Sequence, residues 1–193
     1  MHSEGNILFV GVGGQGTISA SNLLAAALID LNFDVKMSEV HGMAQRGGSV
    51  STQVRFSGKV YSPLIEKGTV DIIVSFEKSE AGRWLEYMKK DGLVISSEQE
   101  IRPYSVNVGK ETYPENMLKE MSEKGINLLS IDAQKEAEAF GNAKAANMIL
   151  LGILAKELEL PEEEFVKLIK EYFKPKLHEV NLKAFASGFQ KRK

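Results

Sequence analysis

Two glycine-rich stretches contain the residues whose types and spacing are best suited to chemistry. In the first stretch, Gly11, Gly13 and Gly16 fit the pattern G-x-G-x-x-G between an apolar run and a run of small residues. Backbone N–H groups at such a strand–turn–helix junction bind phosphates and other anions. The stretch therefore predicts a cofactor- or anion-binding loop made by Gly11, Gly13, Gly14, Gln15, Gly16 and Thr17.

The second stretch places Arg46 directly before Gly47 and Gly48. A guanidinium donates paired hydrogen bonds to phosphate or carboxylate groups, and adjacent glycines permit close approach. We therefore predict cofactor binding by these three residues, although a surface arginine ahead of a strand explains the motif equally well. His41 is a candidate acid–base group because its pKa lies near neutrality, but without a visible partner a loop histidine is the simpler interpretation.

The glycine spacing also fits a dinucleotide site, which would need an acidic residue about 20 positions further on. Glu39 lies near that distance, but residues 41–46 follow it at once and do not resemble an adenosine-ribose pocket. A smaller anion, a cofactor held by a partner, and glycines that serve turn geometry alone remain alternatives. A stand-alone NAD(P)-dependent dehydrogenase is therefore one open interpretation.

Two further polar residues lie at predicted element boundaries. Glu77 follows a buried apolar strand, where it would either bind substrate or cap the next helix, and capping is favoured. Asn142 is a good N-cap for the helix after it. The sequence has no G-x-x-x-x-G-K-[ST], G-x-S-x-G or H-E-x-x-H motif, so it offers little basis for catalysis by this chain alone.

The elements that must position these residues alternate between strand and helix. This pattern predicts an α/β, Rossmann-like fold with a mostly parallel sheet and helices on both faces. We expect one domain over residues 1–193, with a helical C-terminal part over about 133–189 packing on it.

Three local predictions refine this fold. The Ser57-Gly58 turn predicts an inserted β-hairpin that joins Ser49–Phe56 to Lys59–Tyr61. The pattern after Glu77 predicts a helix over Lys78–Lys90, with Trp84, Leu85 and Met88 on its inner face. Residues Arg102–Val108 are expected to be extended around Pro103.

Composition excludes several classes of protein. A net charge of −2 disfavours a general nucleic-acid binder, and no apolar run approaches a membrane span. The N-terminal residues lack the features of a signal peptide, so we expect a cytoplasmic protein. With no cysteine and three histidines, the chain cannot bind a cluster through thiolates, and a metal site is not expected.

The combination of motifs resembles the gamma-type domain of 2-oxoacid:ferredoxin oxidoreductases. The resemblance rests on the two glycine-rich stretches in series and covers roughly residues 6–189. It continues through Val54-Arg55, Ser62-Pro63, Asp71, Glu77, Glu80–Arg83, Gly141–Met148 and Leu151-Gly152. A free-standing chain of this length is most similar to the small (beta) subunits of the indolepyruvate-oxidising members. Gamma subunits of pyruvate or 2-oxoisovalerate enzymes are the alternative.

The resemblance implies a division of labour between subunits. Thiamine diphosphate and iron–sulfur clusters would lie on a large partner subunit, with coenzyme A as co-substrate and ferredoxin as electron acceptor. The complex would convert a 2-oxoacid to acyl-CoA and CO2, and this chain would be inactive alone. The resemblance also implies that the loop at Gly13–Thr17 and the loop at Arg46–Gly48 face the partner and its cofactors. Without its partner, the chain would expose that surface and could self-associate.

Overall fold

A mixed sheet with helices on both faces forms the centre of the chain. The computed structural model describes residues 2–42 and 48–191; for His41 it describes the backbone and not the side chain. Within these residues the sheet has six strands: β1 (Gly5–Val12), β2 (Asp34–His41), β3 (Ser49–Ser57), β4 (Val70–Ser75), β5 (Met88–Ser97) and β6 (Leu128–Ile131). Their order across the sheet is β2-β3-β1-β4-β5-β6.

One strand runs against the others. Strand β3 pairs antiparallel with both β1 and β2, whereas β4, β5 and β6 follow β1 in parallel. Both faces of β1 and β4 are covered, which explains their near-continuous apolar sequences. The predicted α/β, mostly parallel, Rossmann-like fold is confirmed.

The helices divide unequally between the two faces of the sheet. The helices are α1 (Thr17–Asp30), α2 (Lys78–Arg83), α3 (Tyr104–Asn107), α4 (Met117–Glu123), α5 (Ala133–Ala139), α6 (Ala146–Glu157), α7 (Glu162–Tyr172) and α8 (His178–Phe189). Helices α1, α5, α6, α7 and α8 pack on one face around a large core that includes Phe9, Leu24, Met148 and Phe185. Helices α2 and α4 cover the other face around Leu8. The helical C-terminal part is therefore confirmed, and the single domain over 1–193 stays a prediction.

The β-hairpin is present, but its predicted second strand is wrong. Strand β3 forms the hairpin with the preceding strand β2, and Lys59–Tyr61 is not a strand. The Ser57 hydroxyl both donates to and accepts from the backbone of Lys59, which turns the chain out of the sheet. The Ser57 side chain thus bonds the backbone groups of Lys59 that a strand would use to pair with a neighbouring strand.

Two other local predictions are also wrong. The predicted helix Lys78–Lys90 ends at Arg83, because Met88 already pairs with Val70 across the sheet as the first residue of β5. The apolar residues expected on its inner face still pack against the smaller core, since their spacing suits either arrangement. Residues Arg102–Val108 contain α3 rather than an extended segment; its four residues begin directly after Pro103.

Helices α6 and α8 touch through their backbones at two glycines. A Cβ atom on Gly188 would overlap the Ile149 carbonyl oxygen of α6. A Cβ atom on Gly152 would lie 2.8 Å from the backbone nitrogen of Phe189. Neither obstacle is the flexible end of a side chain, so the helices would have to move apart.

Gly188→Ala is expected to lower the free energy of unfolding by about 1–3 kcal/mol, the usual range for overpacking, or more. The matched control is Gly58→Ala, because a Cβ atom at Gly58 would meet no atom within 4 Å. This control should be neutral or stabilising by about 0.4–1 kcal/mol. Urea unfolding followed by circular dichroism measures both. A wild-type midpoint for Gly188→Ala would contradict the close packing.

Candidate functional site

The carboxyl ends of β1, β4 and β5 meet at one edge of the sheet. From this edge α1 leaves toward the large core and α2 toward the smaller one. In open α/β sheets, ligands bind where neighbouring strands send their connections to opposite faces. The first glycine-rich stretch lies at this point, as the sequence predicts.

The glycines of this loop serve two different purposes. Gly16 has φ 82° and precedes α1, and its carbonyl accepts a hydrogen bond from Asn147 Nδ2 at 3.3 Å. A Cβ atom there would lie 2.5 Å from the same nitrogen, so this position packs against α6. Gly14 has φ 102°, and a Cβ atom there would meet nothing within 4 Å. Gly14 is thus the glycine that leaves backbone open to a ligand.

The Gln15 side chain ties the loop to the rest of the sheet edge. Its Oε1 accepts from the Val12 backbone N–H at 2.7 Å, and its Nε2 donates to the Phe76 carbonyl at 2.7 Å. The same Nε2 donates to Gln99 Oε1 at 2.7 Å, and Gln99 in turn donates to Gln134. A chain of amides therefore connects the glycine loop to the ends of β4 and β5 and the start of α5.

A pocket of about 280 Å³ opens beside this amide chain. Its walls combine the three glutamines with apolar side chains and the exposed backbone of the glycine loop. Lys144, in a short turn whose N-cap is Asn142, carries the charge among the described lining residues. The pocket thus offers amide hydrogen bonds and an ammonium group to a polar or anionic ligand. The lining residues are Gly13, Gly14, Gln15, Phe76, Ser97, Gln99, Ile101, Gln134, Ala143, Lys144, Ala146 and Leu150.

The structure brings the two glycine-rich stretches together. The Gly13 N–H donates to the Gly48 carbonyl at 3.0 Å, which joins the β1–α1 loop to the start of β3. Arg46, Gly47 and the side chain of His41 lie outside the described residues, so their predicted roles stay predictions. The contact at Gly48 nevertheless places one end of the second stretch against the first.

A buried carboxylate fixes the same end of the second stretch. Glu80 is 3% exposed, and its Oε2 accepts from Ser49 Oγ at 2.5 Å and from Trp84 Nε1 at 3.2 Å. Its Oε1 pairs with Arg83 Nε at 3.1 Å. These contacts attach the first residue of β3 to α2. A second pocket, of about 270 Å³, lies beside them.

Glu77 caps α2, as the sequence predicts. Its carboxylate accepts from the Ser79 N–H at 2.8 Å and from the Glu80 N–H at 3.0 Å. It also accepts from the Ile101 N–H at 3.2 Å and from the Tyr113 hydroxyl. Burial, and after it the hydrogen bond to this carboxylate, raises the pKa of Tyr113 above its ordinary value of 10.0.

Sequence reasoning missed Gln99, Gln134 and Tyr113. Gln99 follows the end of β5 by two positions, so it lies at the ligand-binding edge of the sheet. That position is the one signal that could have identified it. Nothing in the local sequence marks Tyr113, whose partner Glu77 is 36 positions away.

The strand order differs from that of the dinucleotide-binding fold. There, the strand with the acidic residue for the ribose lies next to β1. Here β3 lies between β1 and β2, so Glu39 stands two strand spacings, or about 10 Å, from β1. Of the two features needed for dinucleotide binding, the chain therefore has the glycine spacing without the adjacent acidic strand.

Residues 2–42 and 48–191 contain no group of three or more histidine, cysteine, aspartate or glutamate side chains arranged to hold a metal ion. Over the same part of the chain, no helix combines the length and apolar character needed to cross a membrane.

The sequence profile of the family described as pyruvate ferredoxin/flavodoxin oxidoreductase matches residues 6–191. The chain belongs to this family. Indolepyruvate oxidoreductase subunit IorB of Thermococcus kodakarensis is 40% identical to it over 195 residues, which cover 98% of this chain and 96% of the relative. The pyruvate/ketoisovalerate oxidoreductases common subunit gamma of Pyrococcus abyssi is 29% identical, with 96% of this chain and 95% of the relative covered.

A solved structure has the same fold. The 2-oxoglutarate:ferredoxin oxidoreductase of Magnetococcus marinus, solved with 2-oxoglutarate, coenzyme A and succinyl-CoA bound, aligns with a TM-score of 0.77 at 21% identity. The alignment covers 98% of this chain and 31% of that chain. In that enzyme, the fold seen here therefore forms one part of a longer polypeptide.

The raised pKa of Tyr113 makes stability depend on pH at the alkaline end. The folded state keeps a proton that the unfolded state loses above pH 10, so the contribution is complete below pH 10 and declines as the pH rises above it. Tyr113→Phe should lower the free energy of unfolding by about 1.5–3 kcal/mol at pH 8, the range for hydrogen bonds to charged groups. The difference from wild type should shrink at higher pH.

Urea unfolding at pH 8 and at pH 10.5–11 measures this dependence. Tyr172→Phe is the matched control, because Tyr172 is half exposed and touches Phe173 through its ring. The control should change neither the stability nor its pH dependence. If the stability difference between Tyr113→Phe and wild type stayed constant across this pH range, the raised pKa of Tyr113 would be contradicted.

Proposed function

We propose that the chain is the small subunit of an indolepyruvate:ferredoxin oxidoreductase. The observation that carries the proposal is its 40% identity to IorB over almost the full length of both chains. Identity to the common gamma subunit of pyruvate and ketoisovalerate enzymes is 29% over a similar length. The complex would oxidise an aryl pyruvate to its acyl-CoA and CO2 and pass two electrons to ferredoxin.

The catalytic cofactors of this complex would be held by its large subunit. The chain has no cysteine, so an iron–sulfur cluster bound by thiolates requires another chain. We assign thiamine diphosphate to the same large subunit. Coenzyme A would be a co-substrate, ferredoxin the acceptor, and the cytoplasm the location of the complex.

Within the complex, we place the coenzyme A and substrate side at the sheet edge that carries the glycine loop. Open backbone at Gly14, amides from three glutamines and the Lys144 ammonium group suit a ligand that combines polar amides with phosphate charge. Arg46 and Gly47 belong to the stretch whose Gly48 end meets Gly13. Arg46 would then act on an anionic group at this edge, and His41 is a weaker candidate for such a role.

The partner and the substrate are tested together by anaerobic purification of the tagged chain from its own host. We expect a brown complex that contains a large subunit with thiamine diphosphate. It should reduce a viologen dye in the presence of coenzyme A with a higher kcat/KM for indolepyruvate than for pyruvate or 2-oxoisovalerate. Preference for either of the latter acids would identify a gamma subunit of those enzymes instead. A colourless, partner-free protein that binds NAD would contradict the proposal.

Arg46→Ala should lower turnover of the complex while leaving this subunit folded and bound to its partner. Loss of a charge-assisted hydrogen bond is worth about 1.5–3 kcal/mol, which corresponds to roughly 10- to 150-fold in rate. Lys183→Ala serves as control, because Lys183 is an exposed cation on α8 that pairs with Glu179. Wild-type turnover and coenzyme A dependence in Arg46→Ala would exclude a role for Arg46.

A further inference from the structure

We propose that Glu77 is a positioning residue whose carboxylate, together with Tyr113, holds residues 99–101 as one wall of the pocket beside the glycine loop. The inference rests on the proposed function, because it concerns the pocket assigned there to coenzyme A. It assigns no chemical step to Glu77, which acts through the segment that it holds.

The two oxygens of Glu77 serve two different elements. Oε2 accepts from the Ser79 N–H at 2.8 Å, from Ser79 Oγ at 2.5 Å and from the Glu80 N–H at 3.0 Å, all at the start of α2. Oε1 accepts from the Ile101 N–H at 3.2 Å and from the Tyr113 hydroxyl. One oxygen therefore caps the helix, and the other binds the segment that follows β5.

Capping alone does not account for the burial of this side chain. Glu77 is 0% exposed, and a fully buried carboxylate is costly unless donors surround it. Helix α2 has six residues, and a cap of such a helix needs one side-chain oxygen. The second oxygen is used by donors that lie 24 and 36 positions away in the sequence. The donors that satisfy the second carboxylate oxygen are thus the same groups that hold residues 99–101 against Glu77.

The segment forms a wall shared by two pockets. Ile101 lines both the pocket beside Gly13 and Gly14 and the neighbouring pocket beside Glu80. Gln99, two positions before it, binds the Gln15 side chain at 2.7 Å. A shift of the Ile101 backbone would therefore move the wall and disturb the amide that orients the glycine loop.

Contacts on the solvent side of the segment are weaker tethers. Glu100 forms ion pairs with Lys78 and Arg102, both at 2.8 Å, and Lys78 lies 5.2 Å from the centre of the Tyr113 ring. The Arg102 side chain is 51% exposed, so water and salt screen its ion pair with Glu100. The Lys78 N–H donates to the Gln99 carbonyl at 3.0 Å and holds the start of the segment. The bonds to Glu77 Oε1 hold its Ile101 end.

Two single substitutions distinguish the tether, which is the pair of bonds from Ile101 and Tyr113 to Glu77 Oε1, from the helix cap at Oε2. Tyr113→Phe removes a donor to Oε1 and keeps the aromatic ring, whereas Ser79→Ala removes the hydroxyl donor to Oε2. Each variant removes one hydrogen bond to the same carboxylate. A purely structural role for Glu77 therefore predicts equal effects of the two variants on the complex.

Steady-state kinetics of the assembled complex should show unequal effects. We expect Tyr113→Phe to raise the KM for coenzyme A about tenfold, because small displacements of binding groups cost one to two powers of ten. The KM for indolepyruvate should stay within twofold of wild type, and Ser79→Ala should leave both constants near wild type. Equal effects of the two variants, or none from Tyr113→Phe, would overturn the proposal.

Hydrogen exchange of the full chain gives a readout that does not depend on activity. The Ile101 amide should exchange about tenfold faster in Tyr113→Phe and at the wild-type rate in Ser79→Ala. If the wild-type complex lacks coenzyme A-dependent activity while exchange changes as expected, the proposed function fails and the tether stands. Unchanged exchange in Tyr113→Phe would overturn the tether itself.

Discussion

Strand β3 runs antiparallel between β1 and β2, and the arrangement of the site depends on this insertion. Because β3 returns along β1, its first residues arrive at the edge where β1 ends, and Gly48 meets Gly13 there. The same insertion moves β2 one strand further out and takes Glu39 away from the β1–α1 loop. The antiparallel insertion of β3 thus brings the two glycine-rich stretches together. It also keeps Glu39, the acidic residue that a dinucleotide site would use, away from the β1–α1 loop.

Polar side chains then fix this edge: Glu77 and Glu80 are buried, and Gln15 is half-buried. Each of them connects segments that are distant in sequence, and each is provided with hydrogen-bond partners. An unsatisfied carboxylate or amide in such a position would cost more than its bonds contribute, so the network is stable only when complete. It therefore favours one arrangement of the loops around the pocket. A binding surface held in this way loses little entropy when a ligand or partner arrives.

The division of labour proposed above agrees with what this chain contains. It supplies backbone, amide groups and positive charge at one edge of a sheet, and it has no thiolate for a cluster. In the 2-oxoglutarate enzyme the same fold is 31% of one polypeptide, whereas in IorB it spans nearly a whole subunit. The fold therefore occurs both as a separate chain and as part of a larger one.

The sequence by itself determined the α/β class, most of the strands, the Glu77 cap and the family, because these depend on local periodicity, on turn residues and on motif spacing. It predicted the wrong partner strand for Ser49–Phe56 and too long a helix after Glu77, since apolar spacing at Trp84, Leu85 and Met88 fits a helix as well as a turn leading into β5. Only the tertiary structure decided that Gln99 reaches Gln15 and that Tyr113 reaches Glu77. Those contacts join residues 84 and 36 positions apart, and pairing at such separations is set by how the strands and loops pack rather than by any local pattern.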